Sequence, residues 1–162
     1  DPLLSKEEAN GLFQVLTEQF RTLSTKGGKI LCLDEAHKYM TGEKKDGLSE
    51  AIVNAARLMR HDGMRLVVST QSPKALAPEL LELVTLAVLH HFHSPDWWQY
   101  LQSKLPLHDS AFERILSLSS GEAVAFATSH DLIEESLEGS HCLPMRIRPR
   151  ITEDLGSSRR NS

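Results

Sequence analysis

The chain has 162 residues, 40% hydrophobic and 25% charged, with a formal net charge of −4. That length and composition fit one globular domain with a full core, and no stretch approaches the roughly 20 apolar residues that cross a membrane. The acidic balance argues against a free-standing nucleic-acid binder, whose footprint is ordinarily basic, and two cysteines, Cys32 and Cys142, make no metal or disulfide framework and suit a reducing intracellular compartment.

The first residue is Asp1, with neither a Met nor a signal-peptide pattern, as in a cleaved product or part of a longer polypeptide. Ser5 and Glu8 spell a capping box that opens a helix to about Leu23. Ala9, Leu12, Leu16, Phe20 and Leu23 recur along one face of it. Gly27 and Gly28 turn the chain into Lys29-Ile30-Leu31-Cys32-Leu33, an apolar run without alternation. Such a run predicts a strand buried on both faces, the habit of a parallel strand in an α/β sheet. Asp34 and Glu35 follow at its carboxyl end, where open α/β sheets bind ligands.

A polar loop from Thr41 to Gly47 carries Lys44 and Lys45, and a second helix is predicted from about Leu48 to His61. Leu48, Ile52, Ala55 and Met59 form its buried side, and Gly63 breaks the chain. Leu66 to Thr70 reads as the next buried strand, with Gln71 at its carboxyl end and Pro73 as its stop. A short helix from Pro78 to Leu83 precedes a strand over 85–90. Helical segments follow at about 95–104 and 109–117, then strands at about 122–127 and 143–148 around an acidic stretch from Ser129 to His141. Residues 1–150 thus read as one folded portion and 151–162 as a disordered tail. Strands alternating with helices predict a mostly parallel sheet covered on both faces, with an antiparallel edge near the C-terminus.

Three features suit a nucleotide hydrolase. Asp34 can order the water shell of a nucleotide-bound Mg²⁺, and Glu35 can accept the proton of an attacking water. The neutral amide of Gln71 can hold that water beside the terminal phosphate. Arg60, at the end of the intervening helix, has the donor fork that an arginine finger needs for a neighbouring subunit's phosphate. A solvated strand end for the two acids, and a helix-terminal cation for Arg60, are the plainer alternatives.

The stretches Ile30 to His37, Arg60-His61-Asp62-Gly63, Val67 to Pro73 and Leu118-Ser119-Ser120-Gly121-Glu122-Ala123 resemble, in that order, the HerA/FtsK class of P-loop ATPases. Leu143 to Arg150 extends the likeness, which covers roughly residues 29 to 150. The resemblance implies a RecA-like core binding ATP and Mg²⁺, in a hexameric ring that moves DNA. It implies that Asp34 and Glu35 are the Walker B pair, Gln71 the sensor and Arg60 the finger. It also places Arg148 and Arg150 on a basic strand near a subunit boundary, with a nucleotide-binding role.

The sequence departs from that class in one large respect. No G-x-x-x-x-G-K-[S/T] loop precedes Asp34, and Gly27-Gly28-Lys29 lacks both the upstream glycine and the following hydroxyl. Without that loop there is no backbone nest for phosphates, and the chain reads as the C-terminal half of an ATPase domain, inactive by itself. A non-catalytic interaction module is the second reading. Asp34-Glu35-Ala36-His37 also spells the DEAH-box motif, but the Q-x-x-G-R-x-G-R run of such helicases is missing. His90, His91 and His93 are expected as partly buried imidazoles at a strand end rather than metal ligands, and of Trp97 and Trp98 one is expected in the core.

Overall fold

The structure, a computed structural model, describes residues 5–40, 46–128, 142–149 and 151. They divide into two units. One contains the described residues up to Thr85 together with Ser94–Leu107; the other contains Leu86–His93 and the described residues from His108 onward.

In the first unit Ser5 opens α1 (Lys6–Thr22) with the expected capping box, its hydroxyl accepting from Glu8 N–H while the Glu8 carboxylate accepts from Ser5 N–H at 2.8 Å. β1 (Lys29–Leu33) follows, then a 3₁₀ turn (Ala36–Lys38). Asp46 caps α2 (Gly47–Leu58), accepting from Ser49 N–H at 2.7 Å. Leu48, Ile52 and Ala55 are buried as the helical spacing predicts. The chain then turns at Gly63, whose φ of 58° is the left-handed conformation glycine adopts at least cost. β2 (Met64–Val68) runs parallel to β1, Lys29 opposite Met64 through Leu33 opposite Val68. A 3₁₀ turn at Pro73–Ala75 leads to α3 (Pro78–Glu82).

The burial of the parallel pair differs from the two-sided burial predicted. In both strands exposure alternates, and Ile30 and Val67 are 64% and 54% exposed. One face of the pair packs inward and the other stays open. The apolar stripe of α1 is likewise exposed at Leu12, Leu16 and Leu23. A groove of about 500 Å³ runs between α1 and β1, lined by Phe13, Leu16, Phe20, Leu23, Leu31 and Leu33 among others. Periodicity reports that a face is apolar; it does not report what covers it.

Two polar anchors join α1 to the rest of this unit. Arg21 Nε lies 3.0 Å from Asp62 Oδ2, in the turn before β2. Lys29 is nearly buried, and its ammonium donates to the carbonyls of Arg21 and Leu23, satisfying two acceptors at the end of α1. The last element of the unit, α4 (Pro95–Gln102), is capped by Ser94 and buries Trp98 while Trp97 stays half-exposed, the division expected of adjacent tryptophans.

The second unit holds β3 (Leu86–Leu89), α5 (Asp109–Leu116), β4 (Glu122–Ala127) and β5 (Cys142–Arg146). The strands form an antiparallel sheet in the order β3-β4-β5. Central β4 is buried from Ala123 to Ala127, with Phe126 fully enclosed. Pro144 sits on β5, at the sheet's edge, where a missing N–H is tolerated. The α/β class and the antiparallel strands near the C-terminus are as predicted; among the described residues these strands, with β3, form a sheet separate from the parallel β1–β2 pair.

His90, His91 and His93 are exposed, which corrects their predicted partial burial: the strand stops at Leu89 and the imidazoles lie beyond it. His91 and His93 meet edge-on at 4.3 Å. The Lys44–Lys45 loop, the acidic stretch 129–141, Arg150 and most of the predicted tail lie outside the described residues. Among the described residues no helix is long and apolar enough to cross a membrane.

Candidate functional site

Parallel pairing brings the site together. Because Leu33 and Val68 are partners, the residues just beyond them, Asp34 and Ser69, stand side by side. The ladder continues past the strands, with Ser69 N–H donating to Leu33 C=O and Ala36 N–H to Ser69 C=O, both at 2.9 Å. The Ser69 hydroxyl donates to Asp34 Oδ1, and Glu35 N–H donates to the same oxygen at 3.0 Å. Asp34 is thereby fixed in direction while remaining exposed.

Glu35 has φ 53° and ψ 42°, a left-handed conformation costing a non-glycine residue about 1–2 kcal/mol. It persists because the flanking peptides are tied: Ala36 to Ser69 as above, and Lys38 N–H to Glu35 C=O at 2.9 Å. The sharp turn swings the Glu35 side chain toward β2. There its two oxygens accept from Gln71 Nε2 at 3.0 and 3.1 Å. Lys38 Nζ lies 3.0 Å from Oε2 and His37 Nε2 3.5 Å from it. The hydrogen bond from Lys38, then that from Gln71, holds the Glu35 carboxyl below the usual carboxylate range. Glu35 is therefore ionised at neutral pH, the form a proton acceptor needs.

The structure thus brings Asp34, Glu35 and Gln71 to one place. It does not bring Arg60 there. Arg60 is exposed in the turn before β2, and the length of that strand, roughly 16 Å at about 3.3 Å per residue, separates it from the carboxylates. Arg148 is exposed beyond β5 in the second unit. Ser69, His37 and Lys38 are members of the site that motif spacing did not single out; the register of the parallel pair is the one signal that places Ser69 beside Asp34.

No protein-family model matches the sequence, and no curated protein matches it. Solved structures do. The genome-packaging NTPase B204 of Sulfolobus turreted icosahedral virus 2, in complex with AMPPCP, superposes with a TM-score of 0.67 at 19% identity, over 85% of this chain and 65% of that one. Its sulfate complex gives 0.67 at 18%, over 86% and 64%. B204, the DNA-packaging ATPase of Sulfolobus turreted icosahedral virus, gives 0.63 at 17%, over 87% and 61%.

The chain shares the fold of these packaging NTPases. It spans less than two thirds of their length. Asp34 offers an exposed, oriented carboxylate of the hard oxygen type that Mg²⁺ prefers, and Mg²⁺ ordinarily takes one or two carboxylates together with substrate phosphates. Among the described residues no cluster of three metal-ligating side chains exists. Lys29, which follows Gly27-Gly28, spends its ammonium on the end of α1 and is not presented to a phosphate.

Proposed function

We propose that this chain is the catalytic-carboxylate portion of an ATPase of the HerA/FtsK class, working in DNA translocation or packaging as part of a ring. The observation that carries the reading is the Glu35–Gln71 contact at the carboxyl ends of two parallel strands, in a fold shared with packaging NTPases. In this reading Glu35 accepts the proton of the attacking water, and Gln71 gives up its contact with Glu35 to hold that water beside the terminal phosphate. Asp34 keeps its orientation through Ser69 and would hold the water shell of Mg²⁺. When bound, that ion neutralises charge on the phosphate oxygens.

The phosphate-cradling loop would come from a segment outside this sequence or from a partner chain. Hexameric assembly, ATP as the nucleotide and DNA as the substrate are part of the same proposal. Arg60 would act on a neighbouring subunit, which its distance from its own carboxylates favours. Arg148 would lie toward a subunit boundary.

The experiment is Glu35→Gln in the ATP-hydrolysing assembly that contains this chain. Nucleotide binding should be retained and turnover should fall by about 10²–10⁴-fold, the usual worth of a positioned base. Turnover near the wild-type rate removes Glu35 as the base.

A further inference from the structure

We infer that His37 is a positioning residue that sets Gln71 against Glu35. It rests on the reading of Glu35 as base and Gln71 as the water-holding amide.

The interstrand ladder ends at the bond from Ala36 N–H to Ser69 C=O. Gln71 lies two residues beyond it, in a turn closed locally by the Thr70 hydroxyl and Ser72. That local closure shapes the turn but does not aim it at Glu35. His37 supplies the missing tie: Gln71 N–H donates to its Nδ1 at 3.2 Å, from the loop after β2 to the loop after β1. The side chain that does so is mostly enclosed, with 21% of its surface exposed.

A backbone N–H can only donate, so Nδ1 presents its lone pair and the imidazole proton resides on Nε2. Nε2 is the nitrogen that faces Glu35 Oε2, 3.5 Å away. A proton on Nε2 faces the Glu35 carboxylate favourably, whereas a lone pair there would be repelled by it. Gln71 is thus held twice by one loop, through its backbone by His37 and through its side-chain amide by Glu35. Losing the first hold leaves the second on a turn free to swing. The role belongs to the acceptor atom at Nδ1, not to the bulk of the ring.

Two substitutions separate these. His37→Asn keeps an acceptor oxygen near the position of Nδ1, whereas His37→Leu keeps bulk and removes the acceptor. In the full chain, long-range ¹⁵N–¹H spectra should show His37 as the Nε2–H tautomer. Amide exchange at Gln71 should speed up about tenfold in the Leu variant, as for the loss of one hydrogen bond, and stay near wild type in the Asn variant. In the hydrolysing assembly, His37→Leu should lower kcat with KM for ATP unchanged, and His37→Asn should recover most of it.

An Nδ1–H tautomer, or a Leu variant with wild-type Gln71 exchange and kcat, would overturn the inference. The two readings fail separately. Full turnover in Glu35→Gln removes the base and with it the catalytic meaning of the His37 tie. Lost turnover in Glu35→Gln with wild-type behaviour in His37→Leu removes His37 alone.

Discussion

Gln71 Nε2 donates to both carboxylate oxygens of Glu35, at 3.0 and 3.1 Å, across the ends of two parallel strands. The contact needs both the register that aligns Leu33 with Val68 and the left-handed turn at Glu35 that points its side chain sideways. A neutral amide is suited to this place because it can hold a carboxylate without competing for its charge. Substituting a carboxylate there would set two like charges within hydrogen-bonding distance.

The ionisation of Glu35 should respond unequally to its partners. Lys38→Ala should raise the Glu35 carboxyl toward the ordinary carboxylate range, and Gln71→Ala should raise it by less, because the lysine contact is the larger cause. The folded value is lowered, so the stabilisation these contacts provide is present above the ordinary range and fades as pH falls through the lowered value. Carbon-detected NMR titration of the three proteins measures this directly. No change in Lys38→Ala contradicts it.

Arg60 should act across a subunit boundary. If the chain works in an ATP-hydrolysing ring as proposed, Arg60→Ala should reduce turnover, and mixing with subunits inactivated at Glu35 should restore part of it, since each mutant keeps what the other lacks. A pure Arg60→Ala assembly with normal turnover refutes the role. A loss that no mixture relieves points instead to damage within its own subunit.

The anchor between α1 and the turn before β2 should be pH-dependent. The hydrogen bond from His61, with the positive charge of Arg21, holds the Asp62 carboxyl below its usual range. Its contribution is therefore complete above the ordinary carboxylate range and lost as pH falls through the lowered value. Thermal melts of wild type and Asp62→Asn should differ most near neutrality and converge in acid. A gap that widens in acid has the wrong sign.

Gly63 should resist replacement. With φ 58° but open space where a side-chain carbon would go, Gly63→Ala meets a conformational cost without a clash. Denaturant melts should show a loss of about 1–2 kcal/mol. A neutral effect would mean that the turn relaxes to another conformation.

The motif-bearing residues were legible because their chemistry lies at strand ends, and strand ends are marked by where an apolar run stops. Leu33 to Asp34 is such a boundary, and the alternation of strands and helices placed Gln71 beside it. What escaped the sequence were pairings made in three dimensions. Lys29 reads as a strand residue, and nothing in its neighbours announces that its ammonium closes the end of α1. His37 reads as the last letter of a motif, while its acceptor role depends on a backbone N–H 34 residues away. Arg60 reads as near the site in chain order, and the length of β2 carries it off. Burial failed for another reason. Ile30, Cys32 and Val67 are apolar in the pattern of enclosed strands, yet enclosure is a property of what packs against them.

That open face has a practical bearing on how the chain behaves in a tube. Ile30 and Val67 expose most of a side chain that water disfavours. A partner that covered them and bound the folded form alone would shift the unfolding equilibrium by mass action. With such a partner present, the midpoint of a melt would rise with the partner's concentration.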